Sequence, residues 1–309
     1  MNIKEKIDLI KKHLPQFSNS QFHIQNEGWS NQVFFVDDHY VFRFPRTQNS
    51  FRDLRVEIEI LPTLRHNLRG VVDIPNFEFV STSKENPDFV GYKMIPGDQM
   101  RQTCIETMPK DKLKANAEVL GHFLSYLHAY GLNHDISVLS TKPSQADRWV
   151  ELKENVHTKC TGVLSNNQLN WIDDLINKLI GYATEFMASK VLLHADFSSD
   201  HILLDKSTNT ITGVIDFGDL EIGDPALDFT GLYTCYGQNF TEEVYKTYEA
   251  CNTINKVETH SGIMERAIKV YSLQPPIHLL LYGVEKNNDM YIQEALSQIN
   301  KFIEEGSNA

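Results

Sequence analysis

The chain has 309 residues, with 41 acidic against 29 basic side chains and a net charge of −12. That length exceeds what one hydrophobic core usually serves, so two lobes are expected. The acidic balance argues against a nucleic-acid binder, which needs a basic face to meet phosphates, and is compatible with a cationic small-molecule partner.

The N-terminal "MNIKEKIDLIKKHL" is no signal peptide, because charges interrupt every apolar run; Ile3, Ile7, Ile10 and Leu14 recur at helical spacing and predict a short amphipathic helix. From Phe22 to Met94 the chain reads as short strands. "QVFFVDDHYVFRFP" predicts a hairpin turning at Asp37-Asp38. A helical pattern interrupts the strands, with Leu54, Ile58, Leu61 and Leu64 on one face. "IPNFEFVS" and "FVGYKMI" are strand-like again, with "SKENPD" as the turn between them. Pro96 and Gly97 end this region.

Beyond them the pattern is mostly helical. "KLKANAEVLGHFLSYLHAYG" predicts a long helix capped by Gly131, and "NNQLNWIDDLINKLIGYATEFM" another. The expectation is a small β-rich lobe over residues 1–94, a hinge at Lys93–Gly97, and a larger helical lobe over residues 95–309. No run reaches the ~20 apolar residues of a membrane span. The four cysteines, Cys104, Cys160, Cys235 and Cys251, form no C-x-x-C pair and read as free thiols in a reducing compartment. The expected location is the cytoplasm, as a monomer or dimer.

Two stretches break the helical region: "LLHADFSSDHILLD" (Leu192–Asp205) and "GVIDFGDLEIGDPALDF" (Gly213–Phe229). Each delivers an aspartate, Asp196 or Asp216, from an aliphatic run, and His201 follows Asp196 by five residues. Two strand-end carboxylates and a histidine suit a divalent metal beside a proton acceptor. Phosphoryl transfer needs that layout, because the protein must position the reactants and neutralise charge rather than do covalent chemistry. The order H-x-D, a metal ligand five residues on, then D-F-G is the kinase pattern.

On these motifs the chain resembles the aminoglycoside phosphotransferases, small-molecule relatives of protein kinases, and most of all those that phosphorylate a 2″-hydroxyl. "HADFSSDHILLD" is similar to that group's catalytic loop, and "VIDFGDLEIGDPALDF" to the family's metal loop. The resemblance implies a protein-kinase-like two-lobe α+β fold and transfer of the γ-phosphate of ATP or GTP to a small-molecule hydroxyl. It implies that Asp196 orients and deprotonates the acceptor, and that His201 and Asp216 hold Mg2+. Arg43 stands where the family has its phosphate-pairing lysine, and Glu57 where the family's helix glutamate pairs with that cation. "EGWSNQVF" lies where the nucleotide loop should be, so Gly28, Ser30 and Asn31 would approach phosphates and Lys93 to Ile95 would meet the base.

Two departures stand out. Arginine is not a neutral replacement for lysine. Where the 2″ enzymes carry several acids after "DPxxDF", Thr230–Phe240 has none, which leaves Asp219, Glu221, Glu285, Asp289 and Glu294 to meet amines. A macrolide, an amino alcohol or a sugar is the alternative acceptor. A metal-dependent phosphohydrolase built on His134-Asp135 with His194 and Asp216 is the alternative enzyme. Asp224 and Asp228 read as loop braces, and His122 and His128 as packing residues.

Overall fold

Helix α1 (Ile3–His13) starts at a reciprocal cap: the Asn2 side chain accepts from the Glu5 amide at 3.0 Å, and Glu5 Oε2 accepts from the Asn2 amide at 2.7 Å. The computed structural model describes residues 1–25, 30–81, 87–255 and 262–307, with the side chains of 252–255 left aside. Strands β1 (Phe22–Gln25), β2 (Asn31–Val36) and β3 (Tyr40–Pro45) follow. Asp37 and Asp38 both take left-handed φ, 54° and 53°, the turn chemistry that matches the twist of a tight hairpin.

Helix α2 (Gln48–Asn67) is capped by Thr47 and Ser50 in the same reciprocal way. Then come β4 (Phe79–Val80), β5 (Val90–Lys93) and β6 (Asp98–Gln99). The strand expected over "IPNFEFVS" shrinks to β4, and most of the "SKENPD" turn lies outside the described residues.

Helices α3 (Gln102–Thr107), α4 (Lys110–His128), α5 (Tyr130–Asn133), α6 (Gln145–Lys159) and α7 (Asn166–Phe186) follow. Gly131 is not the cap of α4: the helix closes on Ala129, whose amide donates to Ser125 O at 3.2 Å, and Gly131 lies inside α5. Four short strands come next, β7 (Leu192–Leu193), β8 (Ile202–Asp205), β9 (Thr210–Val214) and β10 (Glu221–Ile222). Helices α8 (Ala226–Tyr236), α9 (Gln238–Asn255), α10 (Ile263–Lys269), α11 (Pro275–Glu285) and α12 (Asp289–Ser307) complete the chain.

The chain divides into two compact units. The first holds Met1–Met100, Asp135–Lys142 and Asp200–Leu220; the second holds Arg101–His134, Pro143–Ser199 and Glu221–Ala309. In the first, an antiparallel sheet runs in the order β1-β2-β3-β5-β4, and a smaller sheet runs β6-β8-β9. Alternation along β3 sends Phe42 and Phe44 into an aromatic core with Phe17, Phe34 and Phe89, while Arg43 turns to the other face. The second unit is helical, with α4 against α9, α6 against α7 and α11 against α12, and carries the β7-β10 pair. Among the described residues no helix is long and apolar enough to cross a membrane.

Phe42 is the centre of the aromatic core, with ring centroids 5.3 Å from Phe17, 5.7 Å from Phe89 and 5.8 Å from Phe79. Gly91 makes room for it, since a Cβ there would lie 2.4 Å from the Phe42 ring. Phe42→Ala is expected to lower unfolding free energy by about 3–5 kcal/mol, measured by urea denaturation.

Candidate active site

Arg43, on β3 between Val33 of β2 and Val90 of β5, is buried, at 5% exposure. Glu57 meets it from α2, at 0% exposure, through two parallel bonds of 2.7 and 2.9 Å. Such a fork satisfies both groups in one geometry. Burial works against the Arg43 charge, but Glu57 and then Asp216 outweigh it and hold the guanidinium firmly protonated. Burial pushes the Glu57 carboxyl upward, and Arg43 opposes that. Tyr92 on β5 belongs to the same electrostatic cluster; burial pushes its hydroxyl up to about 12.

The hairpin β8–β9 brings His201 and Asp216 together. Its pairing of Ile202 with Val214 continues outward, with the Ile215 amide donating to His201 O at 2.9 Å. The side chains beyond that last bond are neighbours: His201 Nε2 lies 3.7 Å from Asp216 Oδ2. Asp216 Oδ1 lies 3.7 Å from Arg43 Nη2. Asp216 has φ 62°, a conformation that non-glycine residues rarely take and that often marks a functional loop. Thus Glu57, Arg43, Asp216 and His201 form one continuous polar line within the first unit.

Ser30 and Asn31 lie at the start of β2, where Ser30 O accepts from the Arg46 amide at 3.0 Å. Gly28 lies outside the described residues. Lys93 closes β5 with an exposed side chain, 3.6 Å from Glu78. The Met94 amide donates to His39 O at 2.8 Å, and Ile95 packs on Gly213, where a Cβ would meet its Cγ2 at 2.5 Å.

Asp196 belongs to the second unit and is exposed, its carbonyl accepting from the Ser198 amide at 3.0 Å. The loop before it is held by one buried carboxylate. Asp228 accepts from the His194 amide at 2.9 Å and the Ala195 amide at 2.8 Å, fixing Ala195 at φ 65°. His128 Nε2 lies 3.0 Å from Asp228 Oδ2, and His128 Nδ1 lies 3.0 Å from Tyr248 Oη. Gly231 lets the loop sit this close to α8, since a Cβ there would lie 2.0 Å from Phe197 O.

A family model described as the phosphotransferase enzyme family matches residues 24–257, well over half of the chain. The chain belongs to this family. It is a nucleotide-dependent phosphotransferase of small molecules.

The chain is similar along nearly its whole length to an uncharacterized protein, YcbJ of Bacillus subtilis (strain 168), with 22% identity over 96% of this chain and 95% of that one. Among solved structures, a GDP complex of wild-type aminoglycoside 2'-phosphotransferase-IIIa matches with a TM-score of 0.76 and 24% identity, covering 99% of this chain and 100% of that one. A macrolide 2'-phosphotransferase type I matches with a TM-score of 0.63 and 17% identity, covering 96% of each. The fold is therefore the kinase-like α+β architecture expected from the sequence.

Both loop braces expected in this phosphotransferase are present: Asp228 holds the backbone before Asp196, and Asp224 accepts from the Ala226 amide at 3.0 Å while also forming a forked ion pair with Arg266 at 2.6 and 2.8 Å. His128 is more than packing, because it completes the Asp228 carboxylate's shell. Its place on an apolar helix face gave no signal of this, since the partner lies 100 residues away. Glu57→Ala is expected to destabilise by about 3–5 kcal/mol, since it leaves the Arg43 charge buried and uncompensated. Urea unfolding measures this, and Glu57→Gln should lose less.

Proposed function

We propose that the chain transfers the γ-phosphate of ATP or GTP to a hydroxyl of an aminoglycoside. The observation that carries the phosphotransfer chemistry is the line Glu57–Arg43–Asp216–His201, which sets a fixed cation next to a carboxylate and a histidine. Arg43 pairs the donor's phosphates, and Glu57 holds its fork in orientation. Asp196 accepts the proton of the acceptor hydroxyl.

Asp216 and His201 are the residues that would hold Mg2+. Their atoms stand 3.7 Å apart, and the Asp216 side chain is 54% exposed. Among the described residues no group of three or more His, Cys, Asp or Glu gathers in a cage. That suits Mg2+, which keeps waters and phosphate oxygens in its shell and takes one or two protein ligands. When bound, it neutralises charge developing on the phosphoryl oxygens.

The phosphohydrolase alternative has less to rest on. Asp135 instead serves its own turn, accepting from Ser137 N at 2.8 Å and Ser137 Oγ at 3.1 Å.

The aminoglycoside reading draws on similar proteins, one described as a GDP and kanamycin complex (25% identity, TM-score 0.75). A second reading, an acceptor with fewer positive charges, is favoured by how some acids of the second unit are spent, Glu221 and Asp224 above all. Glu221 lies 2.5 Å from Arg148 Nη2 and accepts from Gln145 at 3.0 Å. Asp224 is taken by Arg266, and Glu285 lies 2.7 Å from Lys159. Carboxylates already paired with cations have little left to offer an ammonium group.

A coupled turnover assay with ATP and GTP against kanamycin, gentamicin, a macrolide, choline and neutral sugars separates the two readings. Aminoglycoside-stimulated turnover supports the first; turnover with the less charged acceptors alone supports the second. Asp196→Ala is expected to lower kcat by about 10²–10⁴-fold. Asp216→Ala is expected to abolish Mg2+-dependent turnover, and retained Mg2+-dependent turnover in that variant would overturn the metal assignment.

A further inference from the structure

We propose that Lys142 is a positioning residue for phosphoryl transfer, clamping the Asp216-Phe217-Gly218 turn onto helix α2. The inference rests on the phosphotransfer reading above and extends it to a residue outside both sequence motifs.

Lys142 ends the short Asp135–Lys142 segment of the first unit, far in sequence from the turn it touches. Its Nζ donates to Gly218 O at 2.8 Å and sits 3.0 Å from Asp53 Oδ1. An ammonium group has three donors, so one side chain can serve both partners. Both members of the ion pair are largely buried, at 12% and 20% side-chain exposure, unlike an open surface pair that solvent screens. A second tether runs alongside it, from Arg52 Nη1 to Thr141 O at 3.3 Å. Arg52 and Asp53 thus hold consecutive residues of one segment, and Lys142 passes the restraint on to Gly218.

The restrained atom is well placed. Asp53 precedes Glu57 by one helical turn on α2, so the helix that orients Arg43 also anchors Lys142. Gly218 lies directly over the charged line: a Cβ built there would be 3.5 Å from Asp216 Oδ1, 3.9 Å from Arg43 Nη2 and 4.0 Å from Glu57 Oε1. Asp216 itself holds a left-handed backbone that needs outside support. Lys142 supplies it from the carboxyl end of the turn, and the hairpin bond from Ile215 N to His201 O supplies it from the other. With the carbonyl of residue 218 free to rotate, the carboxylate of residue 216 would lose its register against Arg43 and His201.

The test compares Lys142→Met, Lys142→Arg, Asp53→Asn and the Lys142→Met/Asp53→Asn pair with wild type. It reads kcat, the KM of each substrate, ligand-free Tm, and the Tm shift given by nucleotide with and without Mg2+. Lys142→Met is expected to lower kcat about 10–100-fold, the usual scale for a residue that orients a metal ligand, with the acceptor KM unchanged. The Mg2+-dependent part of its nucleotide-induced Tm shift should shrink. Lys142→Arg should recover most of both, and the double variant should be no slower than Lys142→Met alone, since the two residues act as one device.

If Lys142→Met folds poorly, the Lys142→Arg and Asp53→Asn comparison still decides: loss of turnover in Asp53→Asn at an unchanged assay-temperature fold supports the clamp. Lys142→Met turning over within twofold of wild type, or showing the wild-type Mg2+-dependent Tm shift, overturns it. Wild type lacking turnover and Mg2+-dependent nucleotide binding overturns the phosphotransfer reading itself, so the two failures are told apart by the wild type.

Discussion

Everything in the first unit is arranged around the cost of keeping the Arg43 guanidinium out of water. An isolated cation at 5% exposure would be strongly destabilised, so the fold must bring a carboxylate to it in a geometry that satisfies the fork. Glu57 does this from a helix whose other inward residues, Leu54, Ile58 and Leu61, are plainly apolar. The apolar stripe fixes how α2 lies on the sheet, and that orientation is what aims Glu57 at Arg43. Once fixed, the pair presents one side of the guanidinium to Asp216. A cation held in a preorganised, poorly solvated position is worth more to a phosphate than one on a mobile surface chain.

The candidate site aspartates, in contrast, sit on or next to irregular backbone. Ala195 and Asp216 both adopt left-handed φ, 65° and 62°. Such conformations persist only where neighbours over-determine them. Asp228 does so for the first loop by taking two consecutive amides, and Lys142 together with the β8–β9 hairpin does so for the second. The strategy is the same in both units: a buried charged side chain grips backbone atoms next to the candidate site residue, not that residue's own side chain. That leaves the carboxylates of Asp196 and Asp216 exposed to ligands while their positions are set.

The charge of −12 also reads differently once the fold is known. Several acids of the helical unit are partners of the chain's own cations: Glu221 with Arg148, Asp224 with Arg266, Glu285 with Lys159. A negative net charge is therefore a poor guide to the charge of the acceptor, because it does not say which carboxylates are already neutralised.

The kinase motifs were legible in the sequence because they are local. A histidine five residues after an aspartate and a D-F-G at a strand end depend only on short-range spacing, and the hairpin turn at Asp37-Asp38 depends on two adjacent residues that tolerate left-handed backbone. Periodicity likewise gave α1, α2, α4 and α7. It misplaced the end of α4 at Gly131, because a glycine signals a cap only where the backbone turns left-handed, and here it does not. Only the tertiary structure decided which distant polar groups meet. His128 finds Asp228 across 100 residues, Arg266 finds Asp224 across 42, and Lys142 finds Gly218 across 76. Sequence spacing carries no information about such pairs. They form where folding removes two polar partners from water together, and that happens only after the apolar faces have chosen their partners.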